Sequence, residues 1–234
     1  MKKVAILQSN YIPWKGYFDL IADVDDFVIY DEVQYTRRDW RNRNKIKTRD
    51  GTKWLTIPVQ SKGLFSEKIS EMKVAETNWS EEHFKTLRHA YAKAACFDDH
   101  ADFIEQLYLD AAKLSYLSQV NSLFIEAICR KLQIETRIKQ SCQFTLQDGK
   151  SERLLGICKD LQADVYVSGP AAKSYLDEAL FAEQNIKVEW YSYGEYPEYR
   201  QLHPPFEHAV SILDLLFNTG KAARSFMRLH NRTA

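Results

Sequence analysis

Three short runs in this chain are apolar without alternation, and they constrain its architecture more than any other feature. Val4-Ala5-Ile6-Leu7, Phe27-Val28-Ile29-Tyr30 and Val165-Tyr166-Val167 are each about the length of a strand and offer no polar face. A strand that is apolar on both sides must be covered on both sides, which is the condition of a parallel sheet with helices packed above and below it. The first run leads into Gln8-Ser9-Asn10-Tyr11-Ile12-Pro13-Trp14-Lys15-Gly16-Tyr17, where Pro13 keeps its predecessor out of the helical region. The second leads into Asp31-Glu32-Val33-Gln34-Tyr35 and a basic-aromatic stretch that ends near Lys47. Loops that follow adjacent parallel strands share the carboxyl edge of the sheet, where open α/β sheets bind ligands.

The rest of the chain alternates in the same sense. Lys45-Ile46-Lys47-Thr48 and Lys53-Trp54-Leu55-Thr56-Ile57-Pro58-Val59 flank Asp50-Gly51 and predict a hairpin. A loop follows over residues 61–67. From Ser80 the period becomes helical: Ser80-Glu81-Glu82-His83 reads as an N-terminal cap before Phe84, Leu87, Ala90 and Tyr91. Asp98 or Asp99 opens a second helix, and a third carries Leu117, Val120, Phe124, Ile128 and Leu132. Arg137 to Lys139 is a short strand, Ser151 starts a helix, and Ala171 to Gln184 is helical. Val188 to Tyr191 is the last strand, residues 194–205 form an irregular loop, and two helices, Ser211 to Asn218 and Lys221 to Leu229, close the chain around Gly220. The expected fold is one three-layer α/β domain over residues 1–234. Its sheet is mainly parallel, nucleotidylyltransferase-like or Rossmann-like, with a helical lobe inserted at about residues 80–133.

Composition narrows the function. Lys plus Arg and Asp plus Glu both number 32 among 234 residues, so the chain has no overall charge with which to grip nucleic acid, although a local basic cleft is compatible with that balance. Cys96, Cys129, Cys142 and Cys158 lack any CxxC spacing and read as reduced thiols of a cytoplasmic protein. No stretch approaches the ~20 apolar residues of a membrane span. His83, His89, His100, His203, His208 and His230 are scattered without metal-ligand spacing, so no metal site is expected. No Walker loop, G-x-G-x-x-G or G-x-S-x-G occurs. Covalent catalysis is therefore disfavoured, and no cofactor is indicated by motif.

The chemistry concentrates in two places. Arg37, Arg38, Arg41, Arg43, Lys45 and Lys47 are interleaved with Tyr35, Trp40, Asn42 and Asn44. Guanidinium forks match phosphate or carboxylate oxygens, indoles offer a face to a base or sugar, and amides add direction. A charge run is more often a solvated loop, but amides set between arginines favour the binding reading. Ser168-Gly169-Pro170-Ala171-Ala172-Lys173 joins a buried strand to a helix, where backbone N–H groups and Lys173 can receive an anion; plain strand-to-helix punctuation is the competing reading. Asp31, just past its strand, suits a general base or metal ligand, or equally a turn cap. His203 is the one histidine placed to act as an acid or base.

Gln8, Tyr11, Pro13-Trp14, Gly16-Tyr17, residues 31–34, Trp40-Arg41-Asn42-Arg43, Ser168-Gly169-Pro170 and Ser211-Ile212-Leu213-Asp214 together resemble the WbqC-like proteins, nearly end to end. The resemblance implies a setting in surface-polysaccharide or unusual amino-sugar synthesis. At the level of fold, the first strand, loop and helix are also similar to nucleotidylyltransferases and pantothenate-synthetase-like enzymes. Those carry His-x-Gly-His where this chain has Trp14-Lys15-Gly16-Tyr17, so both histidines are missing. The expected function is a transferase or amide-forming ligase acting on a phosphorylated or nucleotide-linked sugar. Acyl or aminoacyl transfer to an amine is the expected reaction, and a non-catalytic ligand-binding or assembly protein is the alternative. In this reading Arg41 and Arg43 clamp the anion, Trp14 and Trp40 stack on base or sugar, and Gln8, Asn10 and Gln34 read hydroxyls. Tyr11, Gly16, Tyr17, Asn42, Ser168 and Gly169 complete the binding set, with Asp31, Lys173 and His203 as catalytic candidates.

Overall fold

The computed structural model describes residues 1–61 and 66–228; parts of the expected 61–67 loop, the end of the last expected helix and His230 lie outside them. The regular elements run β1 (Lys3–Leu7), α1 (Lys15–Ala22), β2 (Asp26–Ile29), β3 (Arg43–Thr48), β4 (Gly51–Thr56), α2 (Trp79–Tyr91), α3 (Asp98–Ala111), α4 (Leu117–Lys131), β5 (Arg137–Gln140), α5 (Lys150–Asp160), β6 (Val165–Ser168), α6 (Glu178–Glu183), β7 (Lys187–Trp190) and α7 (Ile212–Thr219). Short 3-10 turns occupy Pro170–Ser174 and Gly220–Phe226, among other places.

Five strands form one sheet in the order β5-β2-β1-β6-β7, and every neighbouring pair is parallel. Alternate residues of the central strands feed two separate cores, as the two-residue period of a strand requires. Ala5, Phe27, Ile29, Val165 and Val167 join Phe18 of α1 and Phe124 of α4 on one face. Val4, Ile6, Val28, Tyr30 and Tyr166 join Leu154 and Ile157 of α5 and Phe181 of α6 on the other. The expected α/β architecture with a parallel sheet flanked by helices is what forms. Register at the edge is pinned by charge: buried Asp26 of β2 takes a two-pronged contact from its β5 partner Arg137, with Nε to Oδ1 at 2.8 Å and Nη2 to Oδ2 at 2.9 Å. Lys2 adds a third contact at 3.1 Å. The Arg137 hydrogen bonds hold the Asp26 carboxyl below its usual range.

The hairpin stands apart from this sheet, with β3 and β4 antiparallel around Arg49-Asp50 and Gly51 at φ 109°. Three expectations need correcting. Helix α2 begins at Trp79 behind Asn78, so Ser80 and His83 lie inside it, both buried, and cap nothing. Residues 171–184 are not one helix: a five-residue 3-10 turn ends at Ser174, and Asp177 starts a new helix by accepting the Ala179 N–H at 3.0 Å. The last expected helix is a 3-10 turn, Gly220–Phe226, because Gly220 at φ 54° breaks the path out of α7.

Candidate functional site

The chain leaves β1 through α1 towards β2, whereas β6 leads away through α6 to β7 on the other side of β1. The two crossovers diverge at the carboxyl ends of β1 and β6, and a crevice is expected wherever strand order reverses in this way. A cavity of about 660 Å³ opens there. Gln8 from the end of β1, Gln34, Arg41, Ser168 and Gly169 line it, together with Lys68, Lys150 and Arg153. Among the described residues Arg41, Lys68, Lys150 and Arg153 supply four cations, and Glu32, 3.1 Å from Lys68, is the one carboxylate on the wall. Lys150 and Arg153 lie in the first turn of α5, on either side of Glu152, and add positive charge at the positive end of the helix dipole. Arg153 is held by its Nε bond to the Gln147 carbonyl at 2.9 Å, and Lys150 lies 5.8 Å over the Tyr175 ring.

Arg41 is the brace of the site. Its Nη2 donates to Gln8 Oε1 at 2.5 Å, its Nη1 donates to the Asn10 side-chain oxygen, and Asp39 lies 3.8 Å away. One guanidinium thus holds two side chains of the loop after β1. Asn44 secures the same loop from the hairpin: its Nδ2 donates to the Tyr11 and Ile12 carbonyls at 3.1 and 2.8 Å. Those bonds hold Ile12 at φ 41°, a conformation a β-branched residue does not adopt unaided. Asn42 is structural too, donating to the Ile57 carbonyl at 2.8 Å. Tyr11 anchors the loop below: its hydroxyl lies 2.8 Å from His83 Nδ1 and 2.6 Å from the Tyr108 hydroxyl. Burial lowers His83 to about 4, so the imidazole in this cluster is neutral. Tyr17 donates to the Gln8 carbonyl at 3.0 Å.

Asp31 lies beneath the loop rather than in the crevice. Its buried carboxylate accepts from Ser9 N at 2.8 Å, Ser9 Oγ at 2.7 Å and the Ser118 hydroxyl of α4. Burial raises its pKa against the lowering pull of those donors. Asn121, one turn further along α4, donates to Ser9 Oγ and to the Arg41 carbonyl, both at 2.9 Å.

The remaining expected residues separate. Trp14 and Trp40 line a second cavity, about 240 Å³, with Asn10, Pro13, Asn44 and Ala209. Gly16 permits the first of these: a Cβ there would sit 2.4 Å from Trp14 Cζ2. Arg43 lies in the wall of neither cavity; its guanidinium stacks 4.1 Å from the Trp54 ring and bonds the Arg38 carbonyl. Lys173 lies 5.4 Å over the Trp190 ring and does not line the crevice that Gly169 faces. His203 packs on the helical side, with Nε2 3.2 Å from the Ala90 carbonyl. Lys68, Lys150, Arg153, Ser9, Ser118 and Asn121 were not anticipated. Cations in the first turn of α5 were the available signal for two of them; nothing local marks the other four.

These features define an α/β protein with a cation-lined crevice at the reversal point of a parallel sheet. The family model of the WbqC-like protein family matches residues 8–226, and the chain belongs to that family. A protein of Mycobacterium tuberculosis (strain ATCC 25618 / H37Rv), named uncharacterized protein Rv1507c, is 52% identical over 228 residues, covering 97% of this chain and 98% of that one. No solved structure matches. Among the described residues no helix is long and apolar enough to cross a membrane.

Proposed function

We propose that this protein binds a phosphorylated or nucleotide-linked sugar in the crevice and modifies it, as an enzyme of surface-polysaccharide or amino-sugar synthesis. The observation that carries the reading is the set of four cations, Arg41, Lys68, Lys150 and Arg153, gathered from distant parts of the chain around the ends of β1 and β6. Converging cations of this kind suit a di-anionic group. Gln8, Ser168 and the Gly169 backbone would orient it, and the strand order supports a Rossmann-like or nucleotidylyltransferase-like relationship. Acyl or aminoacyl transfer to a sugar amine remains the reaction of this reading, and Glu32, which faces the crevice where Asp31 does not, takes over as its acid-base candidate. Its carboxylate, 3.1 Å from Lys68 Nζ, would take the amine proton. A nucleotide-linked substrate would place the protein in the cytoplasm. A second reading, a non-catalytic binder, is favoured by one observation: none of Asp31, Lys173 and His203 lines the crevice.

The test is calorimetric titration with UDP, dTDP and GDP of the wild type and of a Lys150→Ala/Arg153→Ala variant. At least one nucleotide should bind, and the paired substitution should weaken it by about 30-fold or more, the scale of two charge-assisted contacts. Binding of none, or equal binding by both proteins, would sink the crevice reading. Glu32→Gln then separates the two classes: it should leave affinity intact and abolish product formation in an enzyme.

A further inference from the structure

The second cavity shares a wall with the crevice, and the wall is the Arg41 brace. Gln8 faces the crevice and Asn10 faces the smaller cavity, and both side chains end on the same guanidinium. One residue, Ser9, separates them, so their Cα atoms are two steps of chain and at most ~7 Å apart. That distance is short enough for one ring and the phosphate attached to it.

The two chambers differ in chemistry. Among the described residues no charged side chain lines the smaller one, whose walls are Trp14, Trp40, Pro13 and Ala209 with the amides of Asn10 and Asn44. Its 240 Å³ is below the ~300–1,000 Å³ of cavities that bury a whole drug-sized ligand, so it suits one piece of a larger molecule. Trp40 packs against Trp54, with 5.2 Å between ring centroids, and still presents 40% of its surface to solvent. Trp14 is held in place by the Tyr193 and Tyr196 rings, at 5.2 and 5.6 Å between centroids. Asn44 is committed, with its nitrogen on Tyr11 and Ile12 and its oxygen taking the Lys45 N–H at 2.7 Å. Asn10 spends only its oxygen, on Arg41, and its amide N–H groups find no acceptor among the described residues.

We infer that the smaller cavity is the subsite for the sugar ring whose phosphate occupies the crevice. The C–H face of a pyranose is apolar and lies flat on an indole, while its rim of hydroxyls accepts from a free amide such as that of Asn10. A nucleobase is the competing occupant, and its place in this scheme is the far end of the larger crevice. The inference rests on the phosphate reading of the crevice and adds the direction in which the ligand lies: sugar towards Trp14 and Trp40, nucleotide towards Lys150 and Arg153.

Titration of three matched pairs tests it: UDP with UDP-glucose, dTDP with dTDP-glucose, and GDP with GDP-mannose. Trp40→Ala should weaken the sugar-linked member of the bound pair by about 3- to 10-fold, the scale of one aromatic contact, and change the bare diphosphate by less than about 2-fold. Ala209→Phe, at an exposed position where the fold tolerates bulk, fills the cavity and should reproduce that selective loss. If both forms bind wild type but the two variants weaken neither, or weaken both forms equally, the sugar assignment is overturned while the crevice reading stands. Failure of every nucleotide and every sugar nucleotide to bind overturns both.

Discussion

Removing the Asp31 carboxylate tests whether this residue builds the site or performs its chemistry. Three donors converge on it: Ser9 N–H at 2.8 Å, Ser9 Oγ at 2.7 Å and the Ser118 hydroxyl. In Asp31→Ala the two hydroxyls can turn to other acceptors, but the Ser9 N–H is fixed by the backbone and stays buried without a partner. An orphaned buried donor costs about 1–3 kcal/mol, and loss of the packed carboxyl adds a further ~1 kcal/mol, so the expected destabilisation is about 2–4 kcal/mol. Asp31→Asn should cost only about 1 kcal/mol, because Oδ1 still receives the Ser9 N–H while the new amide donates to the two hydroxyls. The sign with pH is specific. Burial raises the folded-state pKa above 3.8, so the folded protein holds this proton more tightly than the unfolded chain. Stability from this group is therefore lost as pH rises from 3.8 through the folded value, and Asp31→Asn should remove that slope. Urea unfolding followed by circular dichroism, across the acid range, measures both effects. A loss below about 0.5 kcal/mol in Asp31→Ala would refute the anchoring role and return Asp31 to the list of catalytic candidates.

Two further outcomes follow from neighbouring residues. Gly16→Ala should improve helix propensity by ~1 kcal/mol, yet its Cβ would lie 2.4 Å from Trp14 Cζ2 and force the indole out of place; overpacking of about 1–3 kcal/mol should win, read as a lower urea midpoint and a shifted tryptophan emission. Lys15 is buried among the rings of Tyr196, Tyr199 and Phe206, at 4.9, 5.2 and 5.9 Å, and burial lowers its pKa from 10.5 to about 8 despite the nearby Asp19 and Asp214. The unfolded chain then binds this proton more tightly, so wild-type stability should rise between about pH 8 and 10.5, and Lys15→Met should flatten that rise; an unchanged slope would mean that Lys15 is charged in the fold.

Much of the scaffold was legible in the chain. Unbroken apolar runs at Val4, Phe27 and Val165 reported strands covered on both faces, because burial acts on each residue where it stands. Parallel pairing then brought the loops after β1, β2 and β6 to one edge, which is why Gln8, Gln34, Arg41, Ser168 and Gly169 meet at the crevice as their positions suggested. Composition could not tell Arg41 from Arg43. They are two residues apart in an equally basic stretch, but Arg43 opens β3 and stacks on Trp54 of the paired β4, whereas Arg41, ahead of the strand, reaches Gln8 and Asn10. Asp31 and Asn44 have the polarity of site residues but spend it on Ser9, Ser118 and the Tyr11–Ile12 backbone, a commitment set by partners distant in sequence. Lys68 shows the converse, a cation of the crevice with no local signature of what it faces. Sequence alone determined which segments would be buried and which edge would hold the loops, because hydrophobic burial is written residue by residue. The tertiary structure decided which polar side chains remain free to meet a ligand, because that depends on hydrogen-bond partners far along the chain.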